Sequence, residues 1–278
     1  MEYDSNQDAH DSMVAFHSTL SGMYDQQDAY YGAPSASYTT LVLVTGAHQG
    51  IGFEIAKRLG TENPDYHILL AGRKKEPLAK AVAKLQHLNC SVEGLPMDVT
   101  SDESIAQAAR VVSSKFGRLD VLINNAGVSS SNASSSRDQW TGIFHTNVFG
   151  VHSVTEAFLP LLDASGATKR IVNVTSGLGS LRLKTDRNHP NHHTNEFPLY
   201  STSRTALNML TLHYMNQFEE DPSWKINLCC PGFASSALNS NRTPQDVEDG
   251  AINACRLATL GPDGETGTFS DQHGIIPW

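Results

Sequence analysis

From Thr40 onward the chain alternates two textures: short β-branched or leucine-rich runs closed by Gly, Asp or Asn, and longer stretches whose apolar residues recur at helical period. The short runs predict strands at Leu41–Thr45, His67–Ala71, Val92–Pro96, Leu119–Ile123, Arg170–Val174, Lys225–Cys229 and Gly267–Phe269. Helices are predicted after Gly50, Glu76, Ser101, Arg137, Pro198 and Thr243. Strand and helix in alternation make successive βαβ units, and crossover helices covering both faces of a parallel sheet explain why the strands are apolar on both sides. The expected fold is α/β: a doubly wound, Rossmann-like parallel sheet with helices on both faces, in a single domain spanning residues 40–278.

Residues 1–39 break the pattern. They hold Glu2, Asp4, Asp8, Asp11, Asp25 and Asp28 with no Lys or Arg, so most of the net charge of −9 lies there. A segment this polar buries too little to fold alone, and a flexible tail is expected. Met13, Val14, Phe16 and Leu20 could instead form a short docking helix, and Tyr24, Tyr30, Tyr31 and Tyr38 could pack on a surface.

The acidic balance argues against a nucleic-acid partner, whose affinity comes from clustered Lys and Arg. No apolar stretch is long enough to span a bilayer and the amino end lacks a secretory layout, which points to a soluble, cytoplasmic protein. Cys90, Cys229, Cys230 and Cys255 fit no metal spacing, and no metal is expected.

The first chemical signal is the turn after the first strand. Thr45-Gly46-Ala47-His48-Gln49-Gly50-Ile51-Gly52 runs straight into a helical stretch. Glycines let the backbone approach a pyrophosphate, and the free N–H groups of the helix start favour an anion. A site for a 2′-hydroxyl usually places an acid at the end of the second strand. Gly72 stands there, followed by Arg73, Lys74 and Lys75. A guanidinium fork suits a 2′-phosphate, so the expected cofactor is NADP(H).

Further motifs follow in order: Met-Asp-Val-Thr with Asp98 and Val99; Asn124-Asn125-Ala126-Gly127; Asn147 in Thr-Asn-Val-Phe-Gly; Ser176 closing Ile-Val-Asn-Val-Thr-Ser; Tyr200 and Arg204 in Tyr-Ser-Thr-Ser-Arg; and Pro231-Gly232-Phe233 with Ser236 beyond. Across residues 40–278 this set resembles the short-chain dehydrogenase/reductase family, particularly its carbonyl-reductase-like members. The resemblance implies that Asp98 contacts adenine, that Asn125, Ala126 and Gly127 line the cofactor, and that Pro231, Gly232, Phe233 and Ser236 lie near the nicotinamide. It also implies a carbonyl held between Tyr200, the proton donor, and Ser176, with Asn147 anchoring a proton relay. The substrate would be a small carbonyl compound or alcohol; oligomeric state is left open.

Two departures matter. The family norm at Arg204 is lysine; arginine keeps the charge but stays protonated, which leaves its part in a proton relay open. Ser176 and Tyr200 are 24 residues apart, longer than usual, which marks an insertion near residues 177–197 that would overhang the substrate. Its His189-Pro190-Asn191-His192-His193 run lacks the further ligands of a closed metal site and is read as loop, with His192 or His193 within reach of substrate. The alternative to a reductase is an NADP(H)-binding member acting as scaffold, sensor or redox-neutral catalyst. Because no nucleotide motif precedes Thr40, deletion of residues 1–38 is expected to leave a soluble protein that still binds NADP(H) in a direct titration; an insoluble or cofactor-free product contradicts this.

Overall fold

A computed structural model of the chain describes residues 40–130, 135–232 and 246–278. The readings made for residues 1–39, for Phe233 and Ser236, and for the helix start at Thr243 lie outside the described residues.

The elements follow in βα alternation. Strand β1 (Thr40–Thr45) leads to α1 (Gly50–Glu62), β2 (Tyr66–Gly72) to α2 (Lys75–Leu85), and β3 (Ser91–Pro96) to α3 (Asp102–Phe116). After β4 (Val121–Asn124) come α4 (Ser136–Phe144), a π-helical turn (His145–Phe149) and α5 (Gly150–Asp163). Then β5 (Lys169–Val174) precedes two short helices, α6 (Leu181–Thr185) and α7 (Pro190–His193), and the long α8 (Pro198–Gln217). The chain closes with β6 (Trp224–Cys229), α9 (Ile252–Ala258), β7 (Phe269–Asp271) and β8 (Gly274–Ile275).

The strands form one sheet in the order β3-β2-β1-β4-β5-β6-β7-β8, parallel except for the antiparallel β7–β8 pair. Period-two alternation splits β1 between two cores. Leu41 and Leu43 pack with Ile105, Val112, Val154 and Phe158 of α3 and α5 on one face, and Val42 and Val44 pack with Ile55, Leu59, Leu78 and Leu257 of α1, α2 and α9 on the other. The expected doubly wound α/β fold is therefore the fold of the described residues.

The boundaries shift for local reasons. The last parallel strand begins at Phe269, although the Gly267 N–H already donates to the Ile226 carbonyl at 2.9 Å; Gly267 itself takes a left-handed backbone (φ +79°), outside the extended region. The fourth begins at Val121, since the Leu119 N–H turns aside to the Leu161 carbonyl. The helix expected after Arg137 is interrupted by the π turn, and β8 was not anticipated.

Buried polar groups tie layers together. Asp120 accepts from the Leu41 N–H at 2.7 Å, from the Ser165 hydroxyl and from Arg118 Nε at 3.2 Å, joining β1, β4 and the loop before β5. Cys229, Cys230 and Cys255 are free and buried, and burial pushes their thiols up, Cys255 to about 12.

Glu93 on β3 bridges two elements: Lys115 of α3 donates to it at 2.6 Å and His67 of β2 stands 3.5 Å away. His67 first, then Lys115, holds its carboxyl down from the ordinary 4.5 to about 2. A depressed carboxylate stabilises the fold above its unfolded value, and that contribution is lost as pH falls through the folded one. Wild type should therefore lose this increment between pH 4.5 and 2, and Glu93→Gln should be less stable at pH 7 yet converge with wild type at about pH 2. Circular dichroism melts across that range check it; parallel curves would contradict the assignment.

Candidate active site

At the carboxyl ends of β1 and β4 the chain leaves toward opposite faces, and a cleft of about 700 Å³ opens there. Its floor is the glycine turn. Gly46 and Gly50 both have positive φ, +66° and +59°. No atom would stand within 4 Å of a Cβ at Gly50, so the turn presents bare backbone. Helix α1 starts here without a side-chain cap at Gln49 and without an acid in its first turn. By contrast α3 carries a Ser101 cap and both Asp102 and Glu103. The start of α1 thus keeps its free N–H groups and positive dipole end for an anion. This uncompensated cradle fits a dinucleotide pyrophosphate.

The turn is locked to the next strand. Thr45, fully buried beneath the cleft, accepts at Oγ1 from the Asn125 and Ala126 N–H groups at 2.9 and 3.0 Å, and the Asn125 amide donates to the Thr45 carbonyl at 2.8 Å. A Cβ on Gly52 would stand 2.4 Å from that amide nitrogen.

Of the residues singled out by sequence, Gly46, Gln49, Gly50, Ile51, Gly52, Arg73, Asp98, Val99, Asn125, Ala126, Gly127, Tyr200, Arg204 and Pro231 line this one cleft. Arg73 belongs to the β2–α2 connection, and Asp98 to the β3–α3 loop, where its Oδ1 accepts from the Thr100 N–H and hydroxyl at 3.0 and 2.7 Å. Gly232 follows Pro231 with φ +73°. Lys74 of the basic run after Gly72 lines the cleft as well, and so do His48, Thr175 and Val247, which motif reading missed. His48 was legible only as the spacer between two glycines.

Tyr200 stands one turn into α8, whose entry is strained: Phe197, a non-glycine residue, has φ +63° immediately before Pro198. Arg204, one turn further on, is 2% exposed. Its guanidinium lies over the Tyr200 ring, 4.9 Å from the centroid, and Nη1 donates to the Val174 carbonyl at 3.2 Å, while Nε is buried without a partner. Gly127 gives it room: a Cβ there would stand 2.4 Å from Nη2.

Ser176 caps the turn after β5. Its Oγ accepts from the Leu178 N–H at 3.2 Å, which leaves the hydroxyl proton free to donate elsewhere; it adjoins Thr175 and is not itself among the residues lining the cleft. Asn147 sits in the π turn, fully buried behind the cleft. Its Oδ1 accepts from the Val128 N–H at 2.8 Å, and its amide donates to the Val128 carbonyl at 2.9 Å and to Ser203 Oγ at 3.0 Å.

The insertion is ordered by its own hydrogen bonds. Lys184 Nζ donates to the carbonyls of Asn191, His192 and Thr194, and Asn191 reaches back to Gly177. His192 and His193 face the Lys184 and Arg187 carbonyls. Among the described residues no three His, Cys, Asp or Glu side chains converge as metal ligands, and no helix is long and apolar enough to cross a membrane.

The family model for short chain dehydrogenase matches residues 40–247. A short-chain dehydrogenase from Penicillium roqueforti is 38% identical over 226 residues, covering 80% of this chain and 89% of its own. A short-chain dehydrogenase/reductase from Stachybotrys chlorohalonatus is 36% identical over 253 residues, 84% and 89% of the two chains. The structure of an NADPH-bound carbonyl reductase from chicken fatty liver superposes with a TM-score of 0.70 at 25% identity, covering 87% of this chain and all of that one.

Proposed function

The chain belongs to the short-chain dehydrogenase family, and on that premise we propose that it is an NADPH-dependent reductase of a carbonyl group on a small organic substrate, or in reverse a dehydrogenase of the alcohol. One observation carries this reading: a single cleft has Arg73 and Lys74, the bare glycine turn, and the Tyr200–Arg204 pair along its walls.

In the proposed complex Arg73 holds the 2′-phosphate, with Lys74 adding charge. Asp98 and Val99 border the adenine. Thr45 keeps the glycine turn and Asn125–Gly127 in register around the pyrophosphate and ribose, and Pro231 and Gly232 border the nicotinamide amide. Bound NADPH would supply a hydride. The negative charge that develops on the substrate oxygen needs a proton and a hydrogen bond. Tyr200 supplies the proton, and Ser176 donates its free hydroxyl proton to the same oxygen.

Arg204 holds its positive charge over the face of the Tyr200 ring. It does not release protons at working pH, so replacement protons reach Tyr200 by a route other than residue 204. Asn147, with its side chain committed to the Val128 backbone, is a positioning residue. Free thiols at Cys90, Cys229, Cys230 and Cys255 support a reducing, cytoplasmic setting.

The test is NADPH oxidation over a panel of ketones, aldehydes and quinones. Tyr200→Phe should keep NADPH affinity and lose turnover by about 100-fold or more, the contribution of a positioned acid. Arg204→Ala should be slower than Arg204→Lys and shift the pH–rate profile, because only lysine keeps the charge. A fully active Tyr200→Phe, or an Arg204→Ala with unchanged binding and profile, would replace this reading with the scaffold, sensor or redox-neutral alternative.

A separate titration tests the cofactor. Arg73→Ala should weaken NADPH by the roughly 1.5–3 kcal/mol of a charge-assisted contact, about 10- to 100-fold, and NADH much less. Equal losses would point to misfolding.

A further inference from the structure

The proposed reduction draws its two hydrogen-bond donors from different elements: Tyr200 stands on α8, and Ser176 begins the turn that follows β5. Whatever ties that turn to that helix therefore sets the distance between them. Arg204 reaches the strand end through the Val174 carbonyl. A second tie lies one helical turn further along, at Asn208, which is 5% exposed. Residues 200, 204 and 208 are spaced by four and share one face of α8. A buried asparagine in a helix interior is disfavoured unless its amide finds partners beyond its own helix.

Both ends of this amide are taken by the one turn. Thr175, 1% exposed, donates its hydroxyl proton to Asn208 Oδ1 at 2.7 Å, and Asn208 Nδ2 donates to the Gly179 carbonyl at 3.3 Å. The carbonyl can only accept, so the amide nitrogen faces Gly179 and the amide oxygen is left for Thr175. Thr205, also on α8, donates to the same Gly179 carbonyl at 3.0 Å. Ser176 lies between the two anchored residues, and its carbonyl accepts from the Gly179 N–H at 2.9 Å.

We propose that Asn208 is a positioning residue for Ser176: its amide grips the turn on either side of the serine, at Thr175 and at Gly179, and so sets the serine hydroxyl against Tyr200 from the helix that carries Tyr200. This rests on the reductase reading above, which gives Ser176 its hydrogen bond to the substrate oxygen. A second effect accompanies it. Thr175 lines the cleft, and with its proton spent on Asn208 its hydroxyl offers the substrate no donor in competition with Ser176. Asn208 is not among the residues lining the cleft, so its loss should spare cofactor affinity.

A double-mutant cycle between Asn208→Leu and Ser176→Ala tests this. The readout is NADPH oxidation in single turnovers, with enzyme in excess over a carbonyl compound that wild type reduces; NADPH dissociation constants and thermal melts are measured alongside. Ser176→Ala should slow the step by about 100-fold, the effect of losing one donor to the developing oxyanion. Asn208→Leu should slow it by about tenfold through a misplaced serine, with NADPH affinity unchanged to within about twofold. Added to Ser176→Ala, it should cost no more than about twofold further, because no serine hydroxyl is left to position. Thr175→Val removes the same bond from its other end and should also cost about tenfold; it takes the place of Asn208→Leu in the cycle if that variant does not fold.

A wild type that reduces no carbonyl in the panel, or a fully active Ser176→Ala, would overturn the reading on which this inference rests and the inference with it. A wild type that turns over and depends on Ser176 would overturn the positioning role alone in either of two cases. One is an Asn208→Leu as fast as wild type; the other is a further loss of about tenfold when the two changes are combined, the sign of independent effects.

Discussion

The hydrogen bonds of Thr45 are the constraint on which the cleft depends. Thr45 ends β1, and Asn125 follows the end of β4, its hydrogen-bonded neighbour in the sheet. From these two ends the chain departs in opposite directions, α1 packing on one face and α5 on the other. Parting strands leave a gap, and a gap lined by loose backbone would collapse or fill with water. The Thr45 hydroxyl fixes its width by accepting from two successive backbone N–H groups across it, while the Asn125 amide returns a bond to the Thr45 carbonyl. Both partners are short polar side chains. A longer one at residue 45 would hold the two loops apart, and an apolar one would take the acceptor from the Ala126 N–H and leave the Asn125 N–H with only the Ile123 carbonyl at 3.1 Å.

Local signals made much of this legible in the sequence. Apolar runs located the sheet because strands buried on two faces have no alternative composition. The glycine turn located the cleft because positive φ at Gly46 and Gly50 restricts the residue type. What the sequence did not reveal depends on contacts distant along the chain. The π turn at His145–Phe149 gives no local cue; it places Asn147 so that one amide meets both the N–H and the carbonyl of Val128 and also Ser203 on α8. Strand β8 pairs back after a turn whose N–H groups at His273 and Gly274 are taken by the Asp271 carboxylate.

Arg204 shows what the fold tolerates for its site. A buried guanidinium is expensive unless paired. Here it meets a carbonyl and the face of an aromatic ring, with its Nε–H buried and unbonded. The missing side chain of Gly127 makes room for the guanidinium, while Gly179 lets its loop approach the backbone of α8, where a Cβ would stand 2.8 Å from Arg204 Cβ and 2.9 Å from its carbonyl carbon.

The insertion before α8 does not hang freely. Ser180 donates to the Pro277 carbonyl, the Arg182 N–H donates to the Trp278 oxygen at 2.8 Å, and the Trp278 ring packs on Phe269. The last two residues thus staple the segment that follows Ser176 to the sheet edge. Any displacement of Pro277 or Trp278 is therefore passed to the segment adjoining Ser176.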